Sequence, residues 1–395
     1  MSVFFRDAPV GQLLRFITKN QILQYPEEKV DWKNPLPFLA WKQDVSVKVA
    51  TAPASDASTE DDSDYEVNPS NARISKETQI DPEAQPSSKT AGEAPRVGGL
   101  EPQGEKDQSQ LSSKGRIIVD WYDDNDQDNP QNWSRSRKLV AGVQIYLLTL
   151  AIYMASAIYT PSIPYVMEEF NVSTTVASLG LSIYVLGYGI GPLILSPLSE
   201  LPAVGRSHPY VITFGIYIII SIGLAVNNNF PALVFLRFVQ GFLGSPVLST
   251  GGASIADLYS PFDIPYHLTV WAAFTTSAPA LGPLISGFSV PAENWHWSLW
   301  EIVWLSGPVF ILMLLLLPET SASTILHHRA ARLSKRTGLN FVAQSAIDQE
   351  RFTVTQLAVN TVWRPIQVNA LDPAVLFTSL YTGLVYGIFY SFFER

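Results

Sequence analysis

The chain has 395 residues, 47% hydrophobic and only 15% charged, well below the ~25% charge of soluble domains. Its net charge of −9 reflects acids that mostly precede residue 130, and no basic face of the kind a nucleic-acid binder needs stands out. With no cysteine there is no disulfide framework and no thiolate metal or redox site.

Residues 1–49 are expected to form a cytoplasmic N-terminal segment. Its first 24 residues carry Arg6, Asp7, Arg15 and Lys19 among apolar residues, so no signal-peptide core is present. Val10, Leu13, Leu14 and Ile17 recur at helical spacing. That pattern predicts an amphipathic helix, either lying on the inner leaflet or docked on protein. Residues 50–117 are rich in Ser, Asp, Glu, Gln, Pro and Gly and are expected to be disordered, lacking the apolar surface to offset ordering entropy. Residues 118–138 form a pre-membrane segment. Asp120, Asp123, Asp124, Asp126 and Asp128 resemble a calcium loop at first sight, but the glycine and glutamate that an EF-hand needs are missing. Trp133 with Arg135, Arg137 and Lys138 reads instead as an interfacial anchor before the first span.

Apolar spans follow at about 139–163, 174–198, 210–228, 231–257, 267–290, 298–317 and 373–393, each long enough to cross a bilayer. They predict an all-α membrane protein, with six helices over 139–317, a cytoplasmic loop over 318–372 and a seventh helix over 373–395. Short loops expected inside carry Arg135, Arg137, Lys138, Arg206, Arg329, Arg332, Lys335 and Arg336, whereas 164–173, 229–230 and 291–297 carry no lysine or arginine. The asymmetry puts the N-terminus in the cytoplasm, opposite to a heptahelical receptor. Asn171-Val172-Ser173 is a glycosylation sequon in the first outer loop. Trp295, Trp297, Trp300 and Trp304 fit an outer aromatic belt, though some of them suit a cavity wall equally well.

Within the spans, Arg237 is the anomaly. A cation in hydrocarbon costs roughly 3 kcal/mol on insertion scales, so it is expected to face a polar interior. Gly180, Gly187 and Gly191 share one face of the second span, a surface for close helix packing. Span five carries Pro279, Gly282, Pro283 and Gly287; proline bends a membrane helix where it must flex or line a cavity. Spans two and four end on the same side at Arg206 and Asp257, which are predicted to pair. Asp257 and Glu301 are the only membrane-adjacent acids of the first six spans. Either could carry a proton, with Arg237 tuning it, coupling could rest instead on residues of the second half, or Glu301 could simply be solvated at the outer surface. No nucleophile–base or metal-ligand set appears, so an enzyme is not expected and no cofactor is called for.

Several stretches together resemble the major facilitator superfamily. They are the loop with Glu200, Gly205 and Arg206, then RFVQG at 237–241 and ALGPLISG at 280–287. DNPQNWS at 128–134, SPLSE at 196–200, GSPVLSTGGASIAD at 244–257 and LPETS at 317–321 look like the fungal twelve-helix drug:proton antiporters of the fluconazole and caffeine resistance type. The sequence departs from the family pattern at Glu200, Ala278 and His296. The resemblance implies a major facilitator fold with one six-helix half and one helix of the second. It also implies multidrug efflux of varied, mostly apolar drugs or toxins by proton antiport at the plasma membrane. Glu200, Gly205 and Arg206 would form a cytoplasmic gate, and Pro279, Gly282, Pro283 and Gly287 the antiporter motif. The expected partners are substrate, protons and the lipid bilayer. A small-molecule facilitator, or a truncated, non-transporting or regulatory membrane protein, is the alternative. A chain ending after its seventh span is further expected to leave the cavity faces, Arg237 among them, against lipid and to confer no resistance by itself.

Overall fold

The computed structural model describes residues 2–29, 32, 111–112, 116–350, 363 and 366–391. Most of the stretch predicted to be disordered lies outside them. Two short helices open the chain, α1 (Ser2–Asp7) and α2 (Pro9–Ile17). Strands β1 (Leu111–Ser112) and β2 (Arg116–Val119) precede the bundle. Order thus begins before residue 118, because β2 gains a parallel partner far along the chain.

The bundle comprises α3 (Arg135–Ala157), α4 (Ile163–Phe170), α5 (Thr174–Ala177), α6 (Leu179–Ser199), α7 (Ser207–Ala225), α8 (Phe230–Leu258), α9 (Ile264–Ala292) and α10 (Trp297–Leu316). After it come α11 (Ala322–Thr337), β3 (Phe341–Ala343), α12 (Gln344–Glu350) and α13 (Pro373–Ser391). Seven of the described helices are long and apolar enough to span a membrane, in the positions the hydropathy pattern gives. The first breaks earlier than predicted, at Ala157, where a 3-10 turn holds Pro161. Proline has no N–H to continue the ladder. The loop after the sixth span is not featureless: α11, closed by Gly338 in a left-handed conformation, leads into β3. There β3 pairs in parallel with β2, Ile117 opposite Phe341 and Val119 opposite Ala343.

Small residues decide which helices touch. α6 packs along α8, and α3 along α9. A Cβ at Gly187 would collide with the Phe238 carbonyl, and one at Gly241 with that of Tyr184. Apolar burial gives no advantage between lipid-solvated helices, so this backbone proximity supplies the van der Waals contact that does. Between the helices lies a core of Ile145, Leu148, Ile152, Tyr184, Phe214, Tyr217, Leu233 and Val247. Polar stitches cross it. Tyr184 donates to the Ile152 carbonyl at 2.8 Å and Trp271 to Thr149 Oγ1 at 3.0 Å, while Tyr210 Oη lies 2.8 Å from Ser254 Oγ. Each satisfies a group that hydrocarbon would leave without a partner.

The bundle has two ends. The basal end holds the start of α3 and the ends of α6, α8 and α10; the distal end holds α4 and the start of α8.

Candidate functional site

Arg237 sits in the distal half of α8 and is completely buried. Its Nη1 donates to the Ala155 carbonyl of α3 at 2.9 Å and lies 3.4 Å from Gln240 Oε1. The guanidinium carbon lies 4.9 Å from the Tyr159 ring centroid and 5.7 Å from that of Tyr184. Gln240 in turn donates to Ser221 of α7 at 2.7 Å. A carbonyl, an amide oxygen and two ring faces thus stand where a carboxylate would be expected. Its Nε and Nη2 are buried without a hydrogen-bond partner among the described residues. The arginine does face a polar interior, but that interior lies wholly inside the six-helix bundle. It is not on a face open to lipid, because the Gly187–Gly241 approach seals α6 onto α8 at this level.

At the basal end Arg206 and Asp257 meet as predicted, with Nε 2.7 Å from Oδ2. The organiser of this corner is Glu319, which the sequence reading noted only as part of LPETS. One carboxylate accepts the backbone N–H groups of Arg206 (3.0 Å), Ser207 (3.1 Å), Thr320 (3.0 Å) and Ser321 (2.9 Å), and the Ser207 hydroxyl (2.9 Å). It therefore occupies the positive end of α7, a favourable place for an anion. Gly205 holds φ +73° directly beneath it, and a Cβ there would collide with the carboxylate. Glu200 stands at the end of α6, exposed, and acts on Asp257 through its charge.

The remaining predicted residues are dispersed. Asp257 lies twenty positions beyond Arg237 along one helix, about 30 Å away. Glu301 stands in the first turns of α10, at the distal end. On α9, Pro279 and Gly282 are buried, Gly282 against the backbone of Met154 and Ile158, whereas Gly287 is open. Pro283 is half-buried. Asn171 is exposed and left-handed at the end of α4. Trp295, expected in the belt, is buried and donates its indole N–H to Glu169; Trp304 is exposed.

Below the basal end is a charge network that sequence reasoning scattered among several loops. Arg329 of α11 is fully buried, its Nη1 2.6 Å from Asp126 Oδ2 and its Nη2 2.9 Å from Asp128 Oδ2. Arg332 reaches Glu27 at 2.9 Å, Arg6 reaches Asp128 at 3.2 Å, and Arg137 reaches Asp7 at 2.6 Å. The apparent calcium loop thus serves a guanidinium. Burial alone would raise the Asp126 carboxyl, but hydrogen bonds from Arg329 and from the backbone of Asp128 and Tyr122 outweigh it and hold it below the usual carboxylate range. Burial likewise opposes the Arg329 charge, and the same two aspartates more than restore it.

Finally, α13 approaches α3 and α6 around a cavity of about 770 Å³ walled by Tyr153, Tyr188, Tyr386 and Tyr390, with no charged side chain in its lining. Tyr390 Oη lies 2.8 Å from Ser156 Oγ and accepts from Tyr188 at 3.4 Å.

Spanning helices packed on glycine faces, a buried membrane cation and an uncharged cavity between helices define a polytopic membrane protein. Residues 145–394 match the Major Facilitator Superfamily, and the chain belongs to that family. It is 50% identical over 286 residues to the MFS-type transporter pyvG of Aspergillus violaceofuscus, covering 72% of this chain and 52% of that protein. It is 43% identical over 288 residues to Fluconazole resistance protein 1 of Saccharomyces cerevisiae, with the same coverage. To the Cycloheximide resistance protein of Candida maltosa it is 41% identical over 283 residues, covering 70% and 51%. The chain spans about half the length of these curated relatives.

Proposed function

We propose that this protein exports varied, mostly apolar drugs or toxins across the plasma membrane in exchange for protons, with its N-terminus in the cytoplasm. The observation that carries the reading is the uncharged, tyrosine-walled cavity between α3, α6 and α13. Its size and lining suit a drug-sized ligand held by ring faces and a few hydroxyls. Relatives named for fluconazole and cycloheximide resistance support the same substrate class. Residues 139–317 are one moving half, 318–372 the cytoplasmic link, and 373–395 the first helix of the other half, which rocks against the first.

Asp257 and Glu301, the acids carried by the long spanning helices, are assigned to proton uptake. Protonating Asp257 cancels its attraction for Arg206 and loosens α7 from α8 at the basal end. Glu200, exposed beside that pair, is left to meet the second half at the gate. Asn171, in an exposed turn, is the glycan acceptor on the outer side.

The test is efflux of a fluorescent apolar amphiphile from yeast lacking its own exporters, with the protein expressed from its complete gene. Export that stops with a protonophore, and that falls in Tyr188→Ala and Tyr386→Ala variants, is expected. Protein abundant at the plasma membrane with no change in efflux or drug sensitivity overturns the proposal.

A further inference from the structure

The helix α2 is mounted the wrong way round for a soluble protein. Its polar face turns inward: Arg15 is buried, with Nη2 2.8 Å from Glu28 and Nη1 2.5 Å from the Leu23 carbonyl, and Gln12 donates to Tyr25 at 3.0 Å. Its apolar face turns outward. Phe16 is 82% exposed, Ile17 65%, Leu13 58% and Leu14 42%, and Ile22 just beyond the helix is 54% exposed. The pattern fits a helix whose charged side is neutralised by protein and whose other side meets hydrocarbon. A contiguous apolar ridge of this kind on a described surface calls for a partner.

Its location identifies that partner. α2 packs against α7 and α10 at the basal end, and Leu13 borders the same 320 Å³ cavity as Val211 and Ile212 of α7. Ile212 begins an exposed apolar row that continues along α7 through Ile216 and Ile219. α13 approaches the bundle at α3 and α6, leaving the exposed α7 row for lipid. Ile212 lies about 7 Å beyond the first residue of α7. That is the depth at which interfacial helices rest, roughly 5–10 Å into the headgroup–acyl boundary. The ridge of α2 therefore continues the lipid-facing surface outward to the membrane interface.

We infer that α2 is an interfacial membrane anchor, with Leu13, Leu14, Phe16 and Ile17 seated in the leaflet at the basal end of the bundle. Ordinary amphipathic anchors expose their polar face to water; here protein replaces water. The anchor holds α1 beside the first span, where Asp7 pairs with Arg137.

The absence of cysteine makes the test direct. Single cysteines at Phe16, Ile17 and the exposed control Asp123 are labelled with an environment-sensitive fluorophore. The chain is then reconstituted in phosphatidylcholine–phosphatidylserine vesicles. Labels on Phe16→Cys and Ile17→Cys are expected to be quenched roughly threefold by shallow spin-labelled lipids and shielded from aqueous iodide, and the Asp123→Cys label the reverse. Positions 16 and 17 are exposed, so labelling leaves the packing intact. Iodide quenching at position 16 equal to that at 123 overturns the inference in favour of a solvated face. Protection from both quenchers overturns it in favour of a second protein surface.

Discussion

Among the described residues two arginines are buried completely, and they are buried in opposite ways. Arg329, outside the spans, is met by Asp126 and Asp128, with Glu27 at 3.9 Å. Arg237, inside the spans, is met by a carbonyl, an amide and two tyrosine rings. A fully paired buried cation is a structural lock, since removing it strands its anions. A cation solvated only by dipoles strands no charge when removed, so under the proposed function its loss is expected to affect transport more than stability.

The comparison is broken most sharply at Arg329. Arg329→Ala leaves the buried Asp126 carboxylate without its guanidinium, while the half-buried Asp128 keeps Arg6, and is expected to cost about 3–5 kcal/mol. Trypsin release of the N-terminal segment would report it, and cleavage as slow as in the unaltered chain would contradict it. At Arg237 the expected result divides differently. Arg237→Ala in the complete transporter keeps membrane abundance within about twofold but lowers efflux by about a hundredfold, roughly 2.7 kcal/mol of barrier. Normal efflux by that variant would place Arg237 with the structural arginines.

The partly exposed pair Arg206–Asp257 should fall between these cases. A double-mutant cycle with Arg206→Gln and Asp257→Asn is expected to give a coupling of about 1–2 kcal/mol in detergent unfolding. The smallest effect is that of pH on the lock. Because the Asp126 carboxyl titrates below its ordinary value, its stabilisation is present in full above about pH 4 and is lost as pH falls further. Protease release of residues 1–29 should therefore stay flat from pH 7 to about pH 5 and rise only below pH 4; a rise near pH 6 would implicate another group.

What could be read beforehand followed from local rules. The bilayer demands long apolar helices, so the spans were visible. Two consecutive loops on one side made Arg206 and Asp257 obvious partners. Glycine spacing on α6 marked the face that meets α8. The lock was not legible because its partners are remote: Arg329 lies 203 residues from Asp126, and Arg332 lies 305 from Glu27. Taken alone, those arginines read as loop charge and those aspartates as an abandoned cation site. Glu319 was hidden for the same reason, since it caps a helix 112 residues earlier in the chain. Trp295 was placed in the belt by residue type, whereas its indole has a buried acceptor in Glu169.

The span of the lock also sets a timetable. Glu27 leaves the ribosome long before Arg332 exists, and at about 5–20 residues per second the interval is roughly 15–60 s. All six spans between them must be translated and handed to the membrane first. Until then Glu27 and Asp126 lack their late-arriving cations, and β2 has no strand at its parallel edge. Closure of the network thus waits until six spans have been made, so a nascent chain stalled or misthreaded before α11 would display an open acidic segment.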